Sequence, residues 1–368
     1  MIVAREPDQQ FLEQFLTPSL FTSRSYHIDA PSVEVKLDQN ESPWDWPDEV
    51  KDSVLAKLKE KSWNRYPSPF GDELAAKIAT KVGVDIKNIL LGPGSNYLLA
   101  LVLQTFSKKI KGKVVLARPS FALYESQCQY EGIAYEVWPL NSDLEYDVAL
   151  LPALPKGSMV VFASPNNPVG NVLSRSVLKT LLSTHPEVLF VGDEAYCEFS
   201  DEPYTELLKE HSNLLLVRTF SKTLGAAGVR LGYVLGGANM IELLRKPRVP
   251  FLINLFTLVA AEEVMSSASM SKIFEDIIAN AVSERTRVAA SLNAQAARLN
   301  FTVKSSQANF LLVRWPSSEQ SKVAYDYLIR SGILVRNVSG AQNLEGCLRI
   351  SIGTTPENDR LIASFLSM

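Results

Sequence analysis

Between about residues 88 and 240 the chain alternates short, mostly apolar runs with longer helical stretches. This alternation limits the fold more than any other feature. The runs are ILL (89–91), VVLA (114–117), YEVWPL (135–140), MVVFA (159–163), VLFVGD (188–193), LLLVRTF (214–220) and RLGYVLG (230–236). Stretches 95–107, 121–131 and 174–184 are the expected helices between them. Strand and helix in alternation predict an α/β domain on a mostly parallel sheet.

The flanks read differently. Residues 1–35 predict an extended arm with a short amphipathic start, joining a smaller domain. Residues 47–61 and 71–82 predict helices, the second opening at Gly71-Asp72 with acidic residues in its first turn. Residues 251–298 are almost wholly helical in pattern, as a connector out of the α/β domain. NFLLVRW (309–315), a helix near 318–330, ILVR (333–336), CLRISIG (347–353) and a helix over 356–367 then predict a smaller α+β domain. The expected organisation is an arm at 1–35, a large domain at 36–250, the connector at 251–298 and a small domain at 299–368.

Composition narrows the function classes. With 368 residues, 46% hydrophobic and 21% charged, the chain is an ordinary globular sequence of about two domains. A net charge of −3 argues against a basic field for nucleic acid and leaves room for small anions bound by local arginines. Three cysteines without CxxC spacing and three scattered histidines predict neither a disulfide framework nor a metal site. Arg5, Glu6 and Asp8 stand where a signal peptide needs an apolar run, and VPFLINLFTLVAA is too short to span a bilayer. A soluble, cytoplasmic protein is expected.

Ligands in α/β sheets bind beyond the carboxyl ends of the strands, and the chemistry-bearing residues follow the strand candidates. After ILL comes GPGSN (92–96), where a helix N-terminus opening at Ser95-Asn96 suits a phosphate. An ordinary turn with an N-cap serine has the same composition. After MVVFA comes SPNNPVG (164–170). After VLFVG comes Asp193, then Glu194 and Tyr196. An aspartate entered from an apolar strand is shielded and needs a cationic partner to stay ionised, or else it caps a helix. After LLLVRTF comes Ser221-Lys222, with Arg230 eight positions later among small residues. Burial and nearby positive charge lower a lysine's pKa and make its amine a nucleophile and base. A phosphate cradle, a buried carboxylate, an amide with a hydroxyl, and an activated lysine together are the equipment for pyridoxal 5′-phosphate (PLP).

The sequence resembles the fold-type I PLP-dependent aminotransferases of class I/II, and within them the histidinol-phosphate aminotransferase family. The resemblance runs from about residue 26 to the C-terminus. It rests on KLDQNESP (36–43), RYPSPFGDELAAKIA (65–79), GPGSN (92–96), RPSFALYE (118–125), SPNNPVG (164–170), GDEAYCEF (192–199), TFSKTLGAAGVRLGY (219–233) and GILVR…CLRISIGT (332–354). It implies that Lys222 forms the Schiff base and moves the proton at the substrate Cα, and that Asp193 pairs with the pyridinium nitrogen. Tyr196 and Asn167 would bond the phenolic oxygen of PLP, and Tyr124 would stack on its ring. Ser95, Asn96, Thr219, Ser221 and Arg230 would hold its phosphate, completed by Tyr66 of a neighbouring subunit in a homodimer. Arg349 would grip the α-carboxylate of glutamate, and Tyr26, Asn40 and Arg336 would contact substrate, Tyr26 and Arg336 through its phosphate. The implied reaction is histidinol phosphate with 2-oxoglutarate, in histidine biosynthesis. One departure stands out: Pro250-Phe251 replaces the family's Pro-Tyr. It keeps open an aromatic amino-acid aminotransferase or a PLP-dependent phospho-amino-acid decarboxylase.

Overall fold

Apart from the edge run at 135–139, the apolar runs become strands buried on both faces, which dictates a layered α/β arrangement. The structure, a computed structural model, describes residues 5–16, 18–22 and 31–368. In chain order its strands are β1 (Val35–Leu37), β2 (Ile89–Gly92), β3 (Val114–Arg118), β4 (Tyr135–Pro139), β5 (Met159–Ala163), β6 (Leu189–Asp193), β7 (Leu214–Thr219), β8 (Gly232–Gly236), β9 (Thr302–Val303), β10 (Phe310–Arg314), β11 (Ile333–Asn337) and β12 (Cys347–Ser351).

Seven of them form one sheet in the order β2-β8-β7-β6-β5-β3-β4. Its pairings from β7 through β4 are parallel, and β8 runs antiparallel to both β2 and β7. Successive strand residues point to opposite faces, and the core divides accordingly. Val160, Phe162, Phe190, Leu214 and Leu216 pack with helices Asp48–Glu60, Asp72–Val82, Arg175–Thr184 and Leu255–Ser266. Met159, Val161, Val191, Leu215 and Val217 pack on the other side with Ser95–Ser107, Leu123–Glu131 and Ala238–Arg245. Each large apolar side chain so buried contributes about 1.5–3 kcal/mol. The sheet is therefore a stiff platform whose carboxyl edge can hold functional groups.

The second sheet, ordered β1-β11-β12-β10-β9, is antiparallel except for β1 against β11. Helices Ser318–Arg330 and Thr355–Ser367 cover it, the latter opened by a reciprocal Thr354–Glu357 cap. Strand β1 crosses the expected boundary at 35/36, so the stretch opening the large domain in the sequence begins inside the small sheet. The connector is two helices, Leu255–Ser266 and Ala268–Leu299. Ser267 ends the first and caps the second through its hydroxyl. Residues 251–254 precede them without helix. In the arm, short helices occupy Gln9–Leu12 and Pro18–Thr22. Among the described residues no helix is long and apolar enough to cross a membrane.

Candidate active site

Lys222 leaves the end of β7 and turns into the interior, where its Nζ donates to the Gln39 carbonyl at 2.9 Å. Burial lowers its pKa to about 8, helped by the guanidinium groups of Arg349 and Arg230 and opposed by Glu41. An amine so shifted has a far larger neutral fraction near neutral pH than an ordinary lysine, as a base or nucleophile needs.

Asp193 ends β6 and is 4% exposed. One carboxylate oxygen accepts from the Tyr124 hydroxyl at 2.7 Å, the other from the Ala195 N–H at 3.1 Å. Burial raises its pKa to about 6, while Tyr124, Ala195 and the Lys222 charge pull it down. The carboxylate is thus oriented, desolvated and in the field of the lysine.

The structure places Tyr124 differently from the expected ring-stacking role. It is 1% exposed and its hydroxyl is bound to Asp193, so it lies behind the carboxylate. Phe121 stands edge-on to it at 5.9 Å and is the more accessible ring. The sequence reading missed Phe121, although the three-residue spacing in RPSFALYE put both rings on one helix entry.

Tyr196 receives a hydrogen bond on its hydroxyl from Asn40 Nδ2 at 3.0 Å. Asn40 adopts a left-handed conformation (φ 53°) and is pinned on every polar group. Its N–H donates to Ser351 Oγ, its Oδ1 accepts from the same hydroxyl, and its carbonyl accepts from Asn309 Nδ2. Ser351 ends β12 and Asn309 immediately precedes β10, and neither carried a sequence signal of its own. Arg349, in β12, donates through Nη1 to Asn167 Oδ1 at 2.5 Å and through Nη2 to the Asp38 carbonyl at 2.6 Å. Segment 38–40 therefore ties Lys222, Arg349 and Tyr196 together. Arg336 lies directly across from Arg349 in the β11–β12 pairing, and its side chain makes no hydrogen bond or ion pair among the described residues.

A second cluster forms an anion cradle. Arg230 takes a left-handed turn (φ 59°) just before β8, so it is not the strand residue the sequence pattern suggested. That turn carries its guanidinium to Gly94, where an added Cβ would lie 2.6 Å from Nη2. Its Nη1 lies 3.4 Å from Ser221 Oγ, which accepts from Thr219 Oγ1 at 3.0 Å. Gly94 precedes helix Ser95–Ser107, and no side chain caps that N-terminus. Helix N–H groups, two hydroxyls and a guanidinium without an ion pair among the described residues fit a phosphate. With Asp193 and Lys222 alongside, the set fits PLP: cradle for the phosphate, carboxylate for the ring nitrogen, amine for the aldehyde.

Two expected residues stand apart. Tyr66 is 82% exposed and stacks on Phe251 at 4.7 Å, with no hydrogen bond to the cradle residues among the described residues. Phe251 itself has φ 59° with its N–H on the Pro69 carbonyl, an uncommon conformation for a bulky residue. Tyr26 lies outside the described residues.

The geometry agrees with the comparisons. A family profile described as "Aminotransferase class I and II" matches residues 32–365. The histidinol-phosphate aminotransferase of Thermococcus gammatolerans is 34% identical over 92% of each chain. That of Pyrococcus furiosus is 36% identical over 90% of this chain and 91% of its own. The crystal structure of histidinol-phosphate aminotransferase from Sinorhizobium meliloti in complex with pyridoxal-5′-phosphate superposes with a TM-score of 0.81. It is 23% identical and covers 96% of this chain and 98% of that one. Matched along nearly its whole length, the chain belongs to the class I and II aminotransferases.

Proposed function

We propose that this aminotransferase takes histidinol phosphate as amino donor and 2-oxoglutarate as acceptor, acting as a homodimer in the cytoplasm. The observation that carries the reading is the Arg336–Arg349 pair. Like charges directly opposite on neighbouring strands repel, and Arg336 makes no hydrogen bond or ion pair among the described residues. An anionic group on the donor would pair with Arg336, so this arrangement favours a phosphorylated donor there, with the glutamate α-carboxylate at Arg349. Both relatives compared above carry the name histidinol-phosphate aminotransferase.

PLP supplies the electron sink for amino transfer when bound. Arg230, Ser221, Thr219 and the N–H groups at Ser95 and Asn96 would hold its phosphate. Asp193, oriented by Tyr124, would place negative charge at the ring nitrogen. Phe121 is the ring available to cover its face. Lys222, released from the Gln39 carbonyl, would take up the proton from the substrate Cα. Tyr196 and Asn167, held by Asn40 and Arg349, would hold the phenolic oxygen of PLP.

A steady-state comparison of donors with 2-oxoglutarate tests the proposal. Histidinol phosphate should exceed phenylalanine and tyrosine in kcat/KM. Arg336→Ala should cost it about 10- to 100-fold, the worth of a charged hydrogen bond, and leave phenylalanine little changed. Equal use of all donors would favour an aromatic aminotransferase, and CO2 release without glutamate formation a decarboxylase. Either result overturns the proposal.

A further inference from the structure

The strand ends carrying Asp193 and Lys222 are joined from behind by a second, fully buried charge pair. Asp193 runs directly into Glu194, and Arg218 directly precedes Thr219. Arg218 follows the alternation of Leu214 and Leu216, on the face away from Tyr124. Its Nε donates to Glu194 Oε2 at 2.8 Å, and its Nη2 lies 2.7 Å from the same oxygen. That Nη2 also donates to Thr205 Oγ1 at 2.6 Å. Glu194 Oε1 accepts from the Tyr204 N–H at 2.8 Å, and the Tyr204 hydroxyl donates to Ser164 Oγ at 2.6 Å. Both charged side chains are buried. A buried pair costs desolvation that an apolar pair of the same volume does not, so stability alone does not call for it.

We infer that Arg218 and Glu194 are positioning residues: Arg218 neutralises the carboxylate adjoining Asp193 and ties β6 to β7, so that Asp193 stays ionised opposite Lys222. The inference rests on Asp193 and Lys222 being the carboxylate and amine of the site. The groups facing Asp193 are Tyr124, Tyr146, Tyr196, Glu194 and Lys222. Those facing Arg218 are Glu194, Glu198, Cys197 and Tyr233. Glu194 is the anion opposing ionisation of Asp193, and Arg218 is the cation bonded to it.

The test is a carboxyl ¹³C NMR titration of Asp193 in the cofactor-free full chain, its resonance assigned by loss in Asp193→Asn. The kcat–pH profile of the holoenzyme accompanies it. The wild-type inflection should lie near 6. Arg218→Met leaves Glu194 uncompensated, which should raise the inflection by roughly one pH unit and carry the acid limb of kcat upward with it. The double variant Arg218→Met/Glu194→Gln removes both charges, keeps an acceptor for the Tyr204 N–H, and should return both readings to wild type. Glu194→Gln alone leaves an uncompensated cation and should lower the inflection, which keeps the test open where Arg218→Met fails to fold. An Asp193 inflection that stays put in the single variants, or a double variant no better than Arg218→Met, overturns the inference. Full turnover in Asp193→Asn instead removes the reading beneath it, a separate outcome.

Discussion

At the residue scale, Asp193 is held in a state that disfavours folding. Burial raises its pKa from 3.8 to about 6. As pH falls from 6 to 4 the folded chain takes up this proton before the unfolded chain does. The group therefore destabilises the cofactor-free protein above pH 6, and that cost disappears below about 4. The shift corresponds to about 1–3 kcal/mol. Asp193→Asn should raise the melting temperature of the cofactor-free chain at pH 8 by several degrees and leave it near wild type at pH 4. The same variant should turn over ~100-fold more slowly or worse, because the ring nitrogen loses its anion. Calorimetry at the two pH values checks the first part. A variant equally or less stable at pH 8 contradicts it. The site is thus strained in charge, and its carboxylate is present for chemistry.

At the element scale, the cradle depends on two backbone turns that a side-chain census does not reveal. Gly94 has φ 90°, and its missing Cβ leaves the room that Arg230 occupies. Gly94→Ala strains the backbone and displaces the guanidinium together. Its PLP affinity should fall by about tenfold or more, a loss of the order of one charged hydrogen bond. Gly83→Ala is the control. Gly83 also has positive φ (76°), but nothing lies within 4 Å of its added Cβ. It should lose stability without losing cofactor affinity, as equilibrium binding followed by absorbance would show. Equal losses in the two variants would reduce the Gly94 effect to backbone strain.

These turns also show what the sequence could and could not reveal. The seven-stranded sheet was legible because its central strands are apolar on both faces and bounded by polar turns. Asp193, Ser221 and Lys222 were legible because polar residues at the ends of such strands are conspicuous. Arg230 looked like the start of a strand because its left-handed turn has no compositional mark. Strand β1 has three residues and pairs with a segment about 300 positions away, so no local pattern announces it. Asn40's links to Ser351 and Asn309 span the same distance. Tyr124 could be recognised as a site residue, but only the tertiary arrangement shows that its hydroxyl is bound to Asp193.

At the scale of the whole molecule, the exposed aromatic surface is the feature one chain leaves unexplained. Tyr66 and Phe251 stack in the open, with Trp63 at 72% exposure three residues before Tyr66 and Val249 at 59% two residues before Phe251. Exposed apolar groups in such concentration mark an interaction surface. A homodimer accounts for it if Tyr66 reaches the partner's cradle. Mixing two damaged variants tests this directly, because a twofold interface exchanges the same residue in both directions. Tyr66→Ala keeps Lys222 but lacks the donated hydroxyl; Lys222→Ala keeps the hydroxyl but lacks the amine. In a heterodimer the chain with intact Lys222 receives an intact Tyr66, while the other site stays dead. Random re-pairing makes half the dimers heterodimers with one working site of two, so about one quarter of wild-type activity should return. The assay uses PLP at a concentration that saturates only the wild type, so that Tyr66→Ala alone is poorly loaded. If Tyr66 served its own chain, mixing would restore nothing beyond the sum of the separate variants.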